Sequence, residues 1–392
     1  MDKTPVSDFL AHLPVTRAVL DDRERVFLAV LRGQVHSRSE ATRTLSIRST
    51  TISDHVADLL ERRLLTEEIS ARAGRGRPLR TLHACAERLV TLVFQVISQS
   101  VHVFMVNLSA EIIGHEKAEA SPESDNEALG AIFLRLYQTV MRALPAGADL
   151  AGIVFSLGGV FDRTTHRWIH TSRWPKMHNL DIQHLFSGEK HPISLSRTLD
   201  NELRIHMLLQ RQSTLLLHWG YGVGFAFGQS SDRIVEGGSA FGEIGHWRVT
   251  DQGTSCHCGQ TGCLETLTAL WSIGTPILGE DFRAGDEEEH IAQVLKDKDI
   301  TDNDAIQQAV EHMSTAASNV CRVFFPDRLV VSGPFVQNQR IWQSFRERFE
   351  QKNRFFSQEI QSLTVSQVSR DLGIYGAALP ILEQGLAALL LD

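Results

Sequence analysis

Three of the five cysteines, Cys256, Cys258 and Cys263, fall within eight residues of a 392-residue chain. They sit in Cys256-His257-Cys258-Gly259-Gln260-Thr261-Gly262-Cys263-Leu264-Glu265, shortly after Gly242-Glu243-Ile244-Gly245-His246. An odd cysteine count with this clustering reads as metal binding in a cytoplasmic chain, not as a disulfide framework. Thiolates and imidazole suit a structural Zn2+ held by four ligands in a closed tetrahedron. His246 is the expected fourth ligand. His257 is its rival, but between two ligating cysteines it would have to point away from their ion. Gly259 and Gly262 let the backbone fold tightly enough for the three cysteines to face one ion. With four protein ligands no position is left for water, so the expected ion is structural. Cys85 and Cys321 read as ordinary buried residues.

Around this knuckle the chain alternates strand and helix patterns. Residues 88–97 and 101–108 are β-rich runs separated by Ser98-Gln99-Ser100, the pattern of a hairpin. Residues 127–144 form an amphipathic helix that ends before Pro145, and residues 152–160 a buried strand running into a glycine turn. Residues 214–228 give a strand, the loop Gly220-Tyr221-Gly222-Val223-Gly224 and another strand. Residues 327–335 repeat the strand-into-glycine pattern. The interleaving predicts an α/β body of two lobes around a cleft.

The first 85 residues read differently. Residues 22–32 place Val26, Phe27, Val30 and Leu31 on one helical face. Residues 37–45 form a second short helix, with Ser37 or Ser39 as N-cap and Glu40 in its first turn. After Ser46-Ile47-Arg48, a third helix over 49–65 carries Ile52, Val56, Leu59 and Leu60 at helical spacing, with Ser46 or Ser49 as its cap. Two short helices joined by a tight turn after a packing helix describe a helix-turn-helix. The second of the pair would enter the major groove with Arg48, Ser49, Thr50 and Ser53, and Arg38 joins this DNA-contacting set. Residues 65–82 read as a two-stranded wing. Its loop, Arg72-Ala73-Gly74-Arg75-Gly76-Arg77-Pro78, offers Arg72, Arg75 and Arg77 to a minor groove or to phosphates.

Charge agrees with that division. Residues 1–85 hold 14 Lys and Arg against 11 Asp and Glu, and the remainder 25 against 36, within a net −8. A basic head on an acidic body suits phosphate neutralisation. Leu89 to Leu108, the most apolar segment, is broken by Gln95, Ser98, Gln99, Ser100 and His102, so it is no membrane span. The first residues lack the apolar core of a signal peptide, and the expected location is the cytoplasm.

GxGxG at 220–224, GEIGH at 242–246, CxCGxxGCLE at 256–265 and the glycine turns at 158–159 and 333 together resemble the ROK family, sugar kinases and repressors of one fold. The resemblance covers nearly the whole chain. It implies an α/β fold, a winged helix-turn-helix plus a two-lobed actin-like (ribonuclease-H-like) sugar-kinase body. The expected division is a tail at 1–16, the head at 17–85, a first lobe at 86–198 completed by 380–392, and a second lobe at 199–379. It further implies zinc on His246, Cys256, Cys258 and Cys263, and a sugar facing Glu243 and Glu265, whose carboxylates each accept two hydroxyls. The head followed by GRGRP matches the regulator branch.

Family kinases carry a DxGxT-type phosphate loop in the first hairpin. Here that stretch is Gln95-Val96-Ile97-Ser98-Gln99-Ser100, with neither Asp nor Gly. Their NDAN-like segment corresponds to Leu199-Asp200-Asn201-Glu202, so Asp200 is expected to survive as a vestigial base, beside the ligand, with Asn201. Phosphoryl transfer needs positioned, neutralised phosphates, which one aspartate does not supply. Arg173 would favour an anionic ligand. The expected protein is a non-enzymatic regulator, a repressor of carbohydrate-related genes, binding a palindromic double-stranded operator as a homodimer or homotetramer and a sugar or sugar phosphate in its cleft. The alternatives are a kinase with a DNA-binding head, and a regulator governed by a protein partner.

Overall fold

The computed structural model describes residues 21–70, 79–210, 212–229, 233–235, 241–283, 285–354, 362–366 and 370–391. Three helices open it, α1 (Asp22–Leu31), α2 (Arg38–Leu45) and α3 (Ser49–Glu61). Asp21 and Glu24 form a capping box on α1, and the Ser37 hydroxyl caps α2 through the Glu40 N–H. Ser46 closes α2 in the left-handed conformation, and Arg48 stands at the N-cap of α3 with no side-chain cap. Neither Ser46 nor Ser49 therefore caps α3, and the helix ends at Glu61, short of residue 65. Antiparallel β1 (Leu65–Ser70) and β2 (Leu79–Ala84) follow in register from Leu65↔Ala84 to Ser70↔Leu79. The expected tail at 1–16 and the loop arginines Arg72, Arg75 and Arg77 lie outside the described residues.

The body holds two sheets with related topology. The first orders β10 (Ile193–Arg197), β6 (Asp149–Leu157), β3 (Leu89–Ile97), β4 (Ser100–Asn107) and β5 (Ile112–Glu119) side by side. Here β3, β4 and β5 are antiparallel, while β6 and β10 lie parallel to β3 and to each other. The second orders β12 (Val223–Gly228), β11 (Thr214–Trp219), β13 (Arg328–Ser332) and β14 (Ser362–Val365) in the same way, an antiparallel hairpin continued by parallel strands. Helix α4 (Asn126–Met141) covers one face of the first sheet, where Phe94, Phe133 and Phe155 pack together. A small sheet of β7 (Val160–Asp162), β8 (Arg167–His170) and β9 (Leu180–Asp181) and the short α5 (Ile182–Leu185) extend that side.

Helix α6 (Thr198–Leu209) leaves β10 without a break and crosses to the second sheet. The second sheet packs on α7 (Glu265–Thr268), α8 (Leu270–Leu278), α9 (Glu288–Lys296), α10 (Asp304–Phe324) and α11 (Gln339–Lys352), around Trp219, Met313, Phe335 and Phe345. The last helix, α12 (Arg370–Leu391), lies on α6, β3 and β6. By length and composition α12 could cross a membrane, but here Ile374, Ala377, Ala378, Ile381 and Leu382 are buried in the protein.

That burial also binds the N-terminal unit. One apolar cluster runs from Val26, Phe27, Ile52, Val56 and Leu59 through Leu89, Val93 and Phe104 to Ile374, Ile381 and Leu390. The helix-turn-helix thus shares its core with the sheet and α12. At its edge, Arg62 donates to the Leu389 carbonyl at 2.8 Å and Arg23 donates to the Leu390 carbonyl, while Asp58 on α3 pairs with both arginines. The carbonyls at the end of α12, which lack helical partners, are the groups arginines satisfy well.

Candidate functional site

The two lobes enclose a cleft of about 430 Å3. One end is the cysteine knuckle. Ligand atoms of His246, Cys256, Cys258 and Cys263 all lie within 4.8 Å of one another. Cys256 Sγ is 3.5 Å from His246 Nδ1, and Cys258 Sγ is 3.6 Å from Cys263 Sγ. A tetrahedral ion with Zn–S near 2.3 Å and Zn–N near 2.0 Å implies roughly 3.8 Å between sulfurs and about 3.5 Å from sulfur to nitrogen. The donor set and its spacing therefore fit a four-ligand site. Gly262, at φ 77°, makes the knuckle possible, because a Cβ there would overlap the Thr250 carbonyl. His257 is outside the group, with its ring against Trp271 at 4.2 Å on the cleft wall.

Glu243 and Glu265 both line the cleft. The Glu265 carboxylate accepts the Val223 N–H at 2.9 Å and the Trp271 indole N–H at 3.1 Å, which fixes its orientation. Glu243 lies 3.8 Å from His246 Nε2, on the side away from Cys256. Burial pushes its carboxyl above the usual range against the opposing charges of His246 and Arg197.

Asp200 and Asn201, expected beside the ligand, stand apart from this lining. Neither lines the cleft. Asp200 is buried, held by Arg197 at 2.5 Å and Arg163 at 3.1 Å. Asn201 donates to Ser156 and Ser196. Along the first turn of α6, the residues facing the cleft are Thr198, Leu199 and Glu202. The reason is helical phase: with about 100° between neighbours, a face carrying 198, 199 and 202 turns 200 and 201 inward. This turn of α6 thus presents a leucine to the cleft.

At the far end, the first hairpin turns through Ser98 and Gln99, with Ser98 at φ 53°. Ser98 Oγ donates to the Gly285 carbonyl at 2.6 Å, joining the two lobes. Beside it, Glu288 accepts the Tyr221 N–H at 2.5 Å and faces His218 at 3.1 Å. Arg173, from the first lobe, stacks over the Tyr221 ring at 4.9 Å. Of these, only Arg173 was singled out from sequence. The acidic run 286–289 was the available signal for Glu288, but nothing local says which of its residues turns inward.

On the helix-turn-helix, Arg48, Ser49 and Thr50 are exposed at the start of α3, and Ser53 is half-buried. Ile52, Val56 and Leu59 are completely buried on the opposite face, so packing fixes which way the polar face looks. Arg38, also expected to contact DNA, is held within the head. Its guanidinium donates to Glu67 on β1 at 3.1 Å and towards the Ser53 carbonyl, and so braces α2 against α3 and the hairpin.

The profile described as the ROK family matches residues 99–384. The xylose repressor of Caldicellulosiruptor bescii is 20% identical, over 78% of this chain and 81% of its own length. The DNA-binding transcriptional repressor Mlc of Escherichia coli K12 is 22% identical, over 76% of this chain and 77% of its own. Among solved structures, a ROK family transcriptional regulator, a homolog of the E. coli MLC protein, superposes with a TM-score of 0.69 at 20% identity, covering 94% of this chain and 97% of that one. A ROK hexokinase from Thermus thermophilus gives 0.57 at 17% identity and covers 74% of this chain and 97% of its own. The body is therefore of the sugar-kinase type, and the regulator alone of these two structures leaves too little uncovered to omit the helix-turn-helix.

Proposed function

The chain belongs to the ROK family, and we propose that it is a cytoplasmic, DNA-binding transcriptional regulator, a repressor of carbohydrate-related genes whose cleft takes a sugar or sugar phosphate. The observation that carries this reading is the recognition helix: its apolar face is locked into the core while Arg48, Ser49 and Thr50 stand free at its N-terminus. The repressors to which the chain is similar support it over most of their length. In this reading the head spans 17–85, the first lobe 86–198 completed by 380–392, and the second lobe 199–379. Two copies of the head read a palindromic operator, as a homodimer or a pair of dimers, with Arg72, Arg75 and Arg77 contributing from the wing.

His246, Cys256, Cys258 and Cys263 would hold a structural Zn2+, which when bound fixes the cleft wall to the knuckle. Glu265 and Glu243 accept ligand hydroxyls. Phosphoryl transfer is not part of the proposal, because α6 turns Leu199 to the cleft and Asp200 is held by two arginines.

Ligand binding reaches the head through α12. Gly373, in its first turn, lines the cleft beside Leu199 and Glu202 of α6. Its last carbonyls are held by Arg23 and Arg62, both paired with Asp58 on the recognition helix. A ligand that binds one setting of α6 and α12 better shifts the population of heads competent for DNA.

Capture of genomic fragments by the purified protein tests the reading. Enrichment of a palindromic site near sugar-uptake or catabolic genes is expected, with retention reduced about tenfold or more in Arg48→Ala/Thr50→Ala. No enrichment at low salt, together with sugar-dependent ATP consumption, would replace the regulator with a kinase.

A further inference from the structure

We propose that the far end of the cleft is an anion seat, occupied in this structure by the protein's own Glu288 and built to take the phosphate of a ligand in its place. Three positively polarised groups converge there. The Tyr221 backbone N–H donates to Glu288 Oε1 at 2.5 Å. His218 Nε2 lies 3.1 Å from Glu288 Oε2, and its Nδ1 is 3.1 Å from Ser332 Oγ. Arg173 approaches from the other lobe across the Tyr221 ring.

The chain is shaped for this approach. A Cβ at Gly220 would overlap Glu288 Oε1 as well as the His218 ring, so only glycine admits an anion at the turn. The seat is no isolated surface ion pair: Arg173, His218, Tyr221 and Glu288 all line the same cleft as Glu243 and Glu265. An anion there can therefore be covalently part of a ligand whose hydroxyls sit nearer the knuckle.

Charge supports the assignment. Burial alone would raise the Glu288 carboxyl, yet the charge and hydrogen bond of His218, the Tyr221 N–H and the charge of Arg173 outweigh it and bring it down to about 2. For His218 burial acts downward, and Glu288 and Glu202 overcome it, so the imidazole is held above its ordinary value despite Arg173. Surroundings that stabilise a buried carboxylate this strongly stabilise a phosphate dianion by the same donors. The carboxylate reaches the seat from the first residue of α9, and the Gly285 carbonyl just before it is tied to Ser98 of the first lobe. The segment that carries Glu288 is thus tied to the hairpin tip of the first lobe, so occupancy by a ligand and the setting of the lobes are linked.

The inference rests on the cleft being the ligand site of the proposed regulator, but its test measures anion binding directly, without DNA. Full-length protein and Glu288→Ala are titrated calorimetrically with inorganic phosphate and, in parallel, with glucose 6-phosphate and glucose. Glu288→Ala should bind phosphate about tenfold or more tighter than the unaltered protein, and adding His218→Gln should remove the gain. Glu288→Gln, which keeps the side chain's shape without its charge, should show a smaller gain in the same direction and serves if the alanine variant does not fold. Tighter binding of glucose 6-phosphate than of phosphate or glucose alone assigns the anion to a sugar ligand. Equal binding of the two phosphates assigns it to the free ion. A folded Glu288→Ala that binds neither, or that matches the unaltered protein, overturns the seat.

Discussion

The two ends of the cleft are held by opposite means. At the knuckle end, three cysteines and a histidine converge over a short stretch, and glycine turns and backbone hydrogen bonds shape the wall. At the far end, Glu288, His218 and Arg173 come from three separate elements of two lobes and meet through charge. Local sequence closes the first, and the arrangement of whole sheets closes the second. The first end is suited to rigidity and the second to change.

The largest effect should come from breaking the rigid end. Cys263 is completely buried in the donor cluster, and Cys263→Ser or metal removal should destabilise the body by several kcal/mol. Thermal unfolding with and without a chelator measures it. An unchanged Tm, with no bound zinc by elemental analysis, would remove the distinction between the two ends.

The second prediction uses pH. Glu288, held at about 2 by His218, Tyr221 and Arg173 against burial, contributes stability that is complete above the ordinary carboxylate value of about 4.3 and is lost as pH falls towards 2. His218, held above its ordinary value by Glu288 and Glu202 against burial, contributes stability that is complete below about 6.5 and is lost as pH rises through its raised value. The far end should therefore be firmest between about pH 4.3 and 6.5. Amide exchange in 285–296, corrected for intrinsic rates, should quicken from pH 6.5 to 9 while 242–265 does not follow. Parallel changes in both segments would show that one device holds both ends.

The smallest effect is a control away from both ends. Burial lifts Glu383 on α12 to about 7, with Arg204 opposing, and its Oε1 has no partner among the described residues. The folded protein keeps a proton that the unfolded chain releases above about 4.3, so stability falls as pH rises from there to 7. Glu383→Gln should raise Tm by about 1–3 °C at pH 8 and leave it unchanged at pH 4, with exchange at both ends of the cleft unaltered.

Much of the molecule was legible before folding. Helical spacing of Val26, Phe27, Ile52, Val56 and Leu59 identified three helices, and their burial follows from that spacing. Strand runs broken by Gly158, Gly159, Gly222 and Gly333 located the turns lining the cleft. Where Asp200 points was not legible from its motif, because helical phase sets its direction and Arg163, distant in the chain, joins Arg197 in holding it. The pairing of Arg38 with Glu67 was not legible, because Glu67 belongs to the hairpin and not to Arg38's own helix.

The sequence by itself determined the helix-turn-helix, the α/β body and the cysteine knuckle, because each depends on residues near one another in the chain, where spacing alone sets geometry. Only the tertiary structure decided that α12 joins the cleft to the head, that Leu199 and not Asp200 lines the cleft, and that Glu288 meets His218. Those contacts pair residues on separate elements, and which side chains meet there depends on how complete sheets and helices bury their apolar faces.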